Sequence, residues 1–367
     1  MKYQKKITIL MLVLVSFAFW GFASTQDKDG EKTASFNVEK GGKLEIRVGY
    51  GNITISPWDK NEVYIRATGF DEDEMQQIKM KGEKNKVTVR FKMDDDESGS
   101  NSAEFEVNVP KEFNLTLSTG GGTISIEEDI NGSVDGSTGG GDIKLRNVVN
   151  GKVSLSTGGG DVKAGAIGGD VKLSTGGGNI EIDDIKGHVK SSTGGGNVTL
   201  GKADGEAEVS TGGGNISLNG AGGDVSVSTG GGDIDVRIAS GKVKVSTGGG
   251  NVDLKDITGR IEASTGGGDI TAELKPSGKG DSKLSTGGGN IKLYVASDAK
   301  ATIEATISIT KKWSKNVKKY KIVSDYKADS YEEDEDEEEV RAVYLVNGGG
   351  EKITLSTSNS NINIFKK

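Results

Sequence analysis

The residues that could do chemistry in this chain are few and periodic. The position after each Ser-Thr-Gly-Gly-Gly string holds Asp142, Asp161, Asn179, Asn197, Asn215, Asp233, Asn251, Asp269 or Asn290, with Thr123 the one exception. Asp and Asn beside glycine invite a calcium site of the kind built by nonapeptide RTX coils. Here the period is double and the neutral amides outnumber the carboxylates. Only Asp142 and Asp161 put carboxylates on neighbouring repeats, so these two are the candidate metal ligands, and no metal or other cofactor is expected. Free exchange of Asn and Asp is what a turn needs, and stacked amides hydrogen-bond along a ladder.

The glycine triplets suggest a phosphate loop, but such a loop opens a helix aimed at the anion, and here a strand follows. The glycines are read instead as supplying positive φ and close backbone stacking at a tight corner. The recurrent Thr raises ice binding. Alternation argues against it, because it sends the Ser outward and the Thr inward or into the corner.

The chain has no Cys and one His, His188. That excludes a thiol nucleophile, cysteine-ligated zinc, an iron–sulfur cluster, a disulfide framework and a multi-histidine metal site. A serine triad would have to run through His188. That residue stands four before its Ser, where other repeats carry Lys152, Asp170, Asp224 and Lys242, and so reads as a solvated substitution. A carbohydrate-active site needs clustered carboxylates in a groove; Lys144, Glu181, Asp235, Asp253 and Lys292 are scattered and of both signs. No catalytic residue is assigned, and the chain is not expected to be an enzyme.

The elements that carry these residues follow from a repeat. Of the 367 residues 58 are Gly and only 3 are Pro, a bias that is neither collagen nor an ordinary globular mixture. Ser-Thr-Gly-Gly-Gly begins at Ser118, Ser137, Ser156, Ser174, Ser192, Ser210, Ser228, Ser246, Ser264 and Ser285. Six residues after each Ser stands Ile or Val, and eight after it an aliphatic residue, with a polar residue between them. The residues three and one before the Ser are mostly aliphatic around a polar one. Both patterns have period two, hence two strands with one buried face. A short link carries a further apolar residue (Val148, Ile167, Ile185, Ala203, Ala221, Ala239, Ile257) and leads to a corner glycine. No segment reads as a helix.

A unit this short cannot bury its own stripe and must stack on its neighbours. The predicted fold is all-β: a single-stranded parallel β-helix, or β-solenoid, of 18–19-residue coils, right-handed by the rule for parallel crossovers. Its interior is predicted as a narrow two-layer stack of Val, Ile and Leu. GYGNITI (49–55) and STSNSNINI (356–364) read as end copies of the repeat.

At the N-terminus Lys2, Lys5 and Lys6 precede an apolar run, Ile7 to Trp20, and then small residues at 21–23. This is the pattern of a secretory signal peptide, and the run falls short of the ~20 residues that span a bilayer. Cleavage after Ala23 would deepen the formal net charge of −8, which disfavours nucleic acid as a partner. Without a Cys the chain is not expected to be a lipoprotein, nor to span a membrane after cleavage. The predicted organisation is a signal peptide at 1–23, irregular β coils or a cap at 36–117, the regular solenoid at 118–295, and C-terminal coils at 296–367 with a charged insert at about 311–339. That insert holds a lysine-rich stretch and the acidic run Glu332 to Glu339. Near it, Trp313, Tyr320, Tyr326 and Tyr331 form the most ligand-like patch, and they are the candidate partner-binding residues.

GYGNITISPWDKNEVYIRATG, the recurring S-T-G-G-G-[ND]-[IV]-x-[LIV] and the closing NGGGEKITLSTSNSNINI together resemble the bacterial putative adhesin family, a β-strand repeat domain of unknown function. The resemblance covers about residues 36–367. It implies an exported or surface-exposed parallel β-helix and transfers no catalytic residue. The expectation is a non-enzymatic, adhesin-like envelope scaffold presenting regular faces to a glycan or a surface protein, located in the periplasm, at the cell surface or outside the cell. The alternatives are a carbohydrate-active β-helix enzyme and a calcium-stabilised secreted solenoid.

Overall fold

The structure, a computed structural model, describes residues 24–28, 30–92, 103–309, 320–334 and 338–367. The expected signal peptide and Trp313 lie outside these residues.

Each repeat folds as its alternation dictates. The five residues ending in Ser-Thr form a strand whose first, third and fifth side chains are buried, as in Val171–Thr175. The residues beyond the glycines form a second strand, as in Ile180–Ile182. Equivalent strands pair in parallel with motif residues in register, Ser156 with Ser174 and Ile180 with Val198. Strands entering the glycines build a first sheet and strands leaving them a second, each of 17 strands. The link residues close a third side, since Ile130, Val148, Ile167, Ile185 and Ala203 bridge one to the next and are buried. The protein is a parallel β-solenoid whose apolar interior has three sides, one more than the strand pattern predicts, because the link residue stacks as regularly as the strands do.

The glycine triplets need a correction. None of them has φ in the left-handed region, so positive φ is not what selects glycine there. A Cβ on Gly212 would lie 2.1 Å from the Gly194 carbonyl oxygen, and one on Gly214 would lie 2.1 Å from that of Gly196, while Gly213 has nothing within 4 Å. Rung spacing of ~4.8 Å sets each carbonyl against the next coil's Cα, and that contact excludes side chains from the first and third positions. Positive φ appears instead at the opposite corner, at Gly132 and Gly151.

Both ends depart from chain order. Gly42–Val48 stacks directly on Phe113–Thr119, and Asn52–Trp58 on Ile124–Ile126. The intervening strands Lys86–Phe91 and Glu104–Pro110 lie outside them. At the other end Glu351–Ser358 stacks on Ser282–Thr286, and Ile362–Lys366 on Ile291–Val295. Ala301–Ser308 and Ile322–Ser324 lie beyond. The two segments that resemble end copies are therefore each covered by a further coil. Antiparallel strands finish the first sheet: Lys79–Glu83 at the N-terminal end, Glu339–Val346 and then Ser330–Asp334 at the C-terminal end.

The N-terminal end of the interior is plugged by Tyr50, Phe70, Phe91 and Phe105, with ring centroids 5.1 Å apart for both Phe70–Phe91 and Phe70–Phe105. Over them lies a helix, Glu72–Gln77, that the alternation does not foresee. Its signal is a capping box: Asp71 accepts from the Glu74 N–H, and the Glu74 carboxylate accepts from the Asp71 N–H and from the Tyr50 hydroxyl. Among the described residues no helix is long and apolar enough to cross a membrane.

Candidate functional site

The polar atoms of the motif bind coil to coil. Each Thr hydroxyl donates to the third glycine's carbonyl one coil earlier and accepts from its own third glycine's N–H, as Thr193 does with Gly178 at 2.8 Å and Gly196 at 3.2 Å. The row runs through both reordered ends, from Thr119 on Gly51 to Thr357 on Gly289. Asp and Asn form a parallel row, each accepting from the backbone N–H of its successor: Asp142 from Asp161 at 3.0 Å, Asp161 from Asn179 at 2.7 Å, and onward to Asn361, which accepts from Lys321 at 2.9 Å.

The two candidate metal ligands are thus members of this row. The Asp161 N–H, and after it the Lys144 ammonium 3.1 Å away, hold the Asp142 carboxyl below the usual aspartate range. Among the described residues no three His, Cys, Asp or Glu side chains converge to hold an ion.

A second row runs down the opposite corner, and it contains His188. The His188 N–H donates to Asp170 at 3.2 Å, and its Nδ1 accepts from the Glu206 N–H at 3.1 Å. Asn114 and Asp224 do the same for Ser133 and Lys242. His188 is exposed, as a solvated substitution would be, but it also replaces an Asx rung. The signal was that Asp170 and Asp224 fill the same position.

This row and the outward residues two before each Ser line a shallow groove of about 580 Å³ on the first sheet, among them Asp170, His188, Lys190, Glu206, Asp224 and Lys244. Its charges pair between coils: Lys190 with Glu208 at 2.7 Å and Lys242 with Glu262 at 2.8 Å. Lys152, and after it the His188 N–H, hold Asp170 below the usual aspartate range. A general acid at neutral pH needs the opposite shift, so the groove offers polar contacts of both signs.

Of the tyrosines singled out from the sequence, Tyr320 and Tyr326 are half-buried against the interior, and the Tyr326 hydroxyl donates to the Val295 carbonyl at 3.4 Å. Tyr331 lies on the last strand of the first sheet, 43% exposed. The tightest aromatic pair near this end is another one. Tyr294 and Phe365 stack in register on the second sheet, with centroids 4.9 Å apart and planes at 25°. They are far apart in the chain, and only the reordered final coil makes them neighbours.

A repetitive three-sided rod with its motif residues committed to the rungs defines the class: a parallel β-solenoid without an evident catalytic cluster among the described residues. Residues 42–222 match the family model Toastrack DUF4097, and over that part the chain is similar to this adhesin-like family of domains of unknown function. Among solved structures it is similar to a "putative adhesin" from Bacteroides fragilis NCTC 9343, with 12% identity over 92% of this chain and 97% of that one, at a TM-score of 0.27. It is also similar to a "putative cell adhesion protein" from Clostridium sporogenes, with 11% identity over 92% and 100% and a TM-score of 0.18. A third is a "putative lipid binding protein" from Parabacteroides distasonis, with 12% identity over 91% and 96% and a TM-score of 0.27. Likenesses at such scores say nothing of ligand or role. No curated protein matches the chain.

Proposed function

We propose that the protein is an exported, non-catalytic rod of the cell envelope or surface that presents the outer face of its first sheet to a glycan or a protein. The observation that carries this reading is the pair of hydrogen-bonded rows running from coil to coil. Thr, Gly and Asx, the residues that recur, are committed to holding rungs, and the residues that vary point outward. A solenoid enzyme interrupts its repeat with a local cluster of carboxylates, whereas here the outward charges pair along the rod. The groove around His188 is the assigned contact face, because its mixed lysines and carboxylates suit sugar hydroxyls and polar protein groups. The C-terminal residues Trp313, Tyr320, Tyr326 and Tyr331 belong to a second, smaller contact region in this reading.

The test is calorimetry of the chain without residues 1–23 against neutral and acidic envelope polysaccharides, with turnover assayed in parallel. Binding without turnover is expected, weakened at least tenfold by joint His188→Asn, Lys190→Ala and Lys244→Ala, in which Asn keeps the acceptor for the Glu206 N–H and the melting temperature stays close to that of the unsubstituted chain. Turnover of any polysaccharide, or binding indifferent to the triple substitution, overturns the reading. Export is checked by fractionation with protease accessibility on whole cells.

A further inference from the structure

The last strands at the two ends of the first sheet carry opposite charge, and each is paired on one side only among the described residues. At the N-terminal end the last strand is Lys79–Glu83, bonded to Lys86–Phe91 alone. Lys79 and Lys81 point outward, and Lys84 sits in the following turn, at φ +52°. Behind them, on the same outer face, stand Arg90, Lys86, Arg47 and Lys43, against which only Glu45 and Glu83 are acidic. At the C-terminal end the last strand is Ser330–Asp334, bonded to Glu339–Val346 alone. Its residues Glu332, Glu333 and Asp334 are all exposed, against which Arg341, beside Glu332 on the neighbouring strand, is basic.

A strand paired on one side presents a row of backbone N–H and C=O groups that recruits a further strand, and opposite charges bring such strands together while like charges keep them apart. We propose that the rod associates end to end with further copies of itself, the Ser330–Asp334 edge of one molecule adding to the Lys79–Glu83 edge of the next. The strand directions agree. Lys79–Glu83 runs antiparallel to the coils, because it is antiparallel to a strand that follows them. Ser330–Asp334 runs with the coils, because it is antiparallel to a strand that opposes them. Two copies aligned along one axis therefore meet as an antiparallel pair, the slightly more stable of the two pairings.

Among the registers that keep outward residues outward, one sets Lys81 opposite Glu332 and Lys79 opposite Asp334, and on the inner side Tyr331 opposite Gly82 and Glu333 opposite Met80. The same parity would put Glu against Glu if two C-terminal ends met and Lys against Lys if two N-terminal ends met, so the contact is head to tail. A head-to-tail contact does not close on itself and yields linear chains.

The experiment is sedimentation velocity on the chain without residues 1–23, from low micromolar to about 200 µM, at low and at half-molar salt. Concentration-dependent, elongated oligomers are expected at low salt and monomer at high salt. The double variants Lys79→Glu/Lys81→Glu and Glu332→Lys/Asp334→Lys should each be monomeric throughout, and mixing the two should restore association, because each then meets a complementary end. Restoration also shows that both variants are folded. Monomer under every condition, salt-insensitive aggregation, or variants that associate as the unsubstituted chain does would each overturn the proposal. None of these outcomes bears on whether the groove binds a glycan.

Discussion

The Thr211 hydroxyl donates to the Gly196 carbonyl one coil earlier at 2.8 Å and accepts the Gly214 N–H at 3.2 Å, at a position 5% exposed. Thr211→Val keeps the shape and removes both bonds, leaving a buried donor and acceptor unpaired, at a cost of about 1–3 kcal/mol. Thr211→Ser keeps the hydroxyl and loses one methyl, about 0.8 kcal/mol of burial. Urea melts separate the two. A loss for Thr211→Ser with none for Thr211→Val would show that the methyl, and not the bonds, matters here.

Adjacent glycines of one turn should respond in opposite ways. Gly214→Ala drives its Cβ to 2.1 Å from the Gly196 carbonyl oxygen, whereas Gly213→Ala meets nothing within 4 Å. The first should lower the melting temperature sharply or prevent folding, since backbone on the neighbouring coil has no room to move. The second should be neutral or stabilising by up to about 1 kcal/mol through lost chain entropy in the unfolded state. Thermal unfolding of the pair decides it, and a destabilised Gly213→Ala would refute the steric account.

Ser191 occupies an inward position between Leu173 and Val209 of the first sheet, 1% exposed, and among the described residues its hydroxyl has no hydrogen-bond partner. Burying an unpaired hydroxyl costs about 1–3 kcal/mol in proteins. Ser191→Val, which restores the residue type found in other coils, should therefore raise the denaturant midpoint. A lower midpoint would mean that this coil has no room for the one extra heavy atom.

Two aspartates should move stability with pH in opposite directions. Asp142 is held below the usual range by the Asp161 N–H and then by Lys144. Its contribution is present above the unfolded aspartate value and lost as pH falls through the lowered folded one. Asp253 is raised by desolvation, then by Asp235 and Glu273. Its contribution is present in acid and lost as pH rises through the raised value. Asp235 and Asp253 are direct parallel neighbours, and like charges so placed are destabilising on a scale of about 0.2–1 kcal/mol. Asp253→Asn should thus stabilise the protein at neutral pH and change little in acid, while Asp142→Asn should cost stability at neutral pH and little in strong acid. Melting temperatures of the two variants across that range check both signs, and parallel shifts would contradict them.

Much of this molecule was legible before folding was considered. Val171, Leu173, Ile180 and Ile182 alternate with polar residues, and alternation is a local property that commits each side chain to a face. The inward Thr and outward Ser of each turn followed from the same parity. The glycine triplets were half read: their crowding was foreseen, but their φ was not, because which of two reasons selects a glycine depends on the backbone one coil away. His188 and the Tyr294–Phe365 stack were missed for the same kind of reason, since each is defined by a residue on another coil.

By itself the sequence determined the period, the strands, the parallel register and the stacking of like on like, because an 18-residue unit with one apolar stripe has no other way to bury it. Only the tertiary structure decided the order of the coils at the two ends. GYGNITI and the strand Lys86–Phe91 offer equally suitable apolar stripes to the coil above, as do STSNSNINI and Ala301–Ser308 at the far end, so pattern does not rank them. Packing does. The Thr119 hydroxyl finds the Gly51 carbonyl, and Thr357 finds Gly289, so the copies that carry the motif's hydrogen bonds lie against the regular coils, and those without it are left to cover the ends.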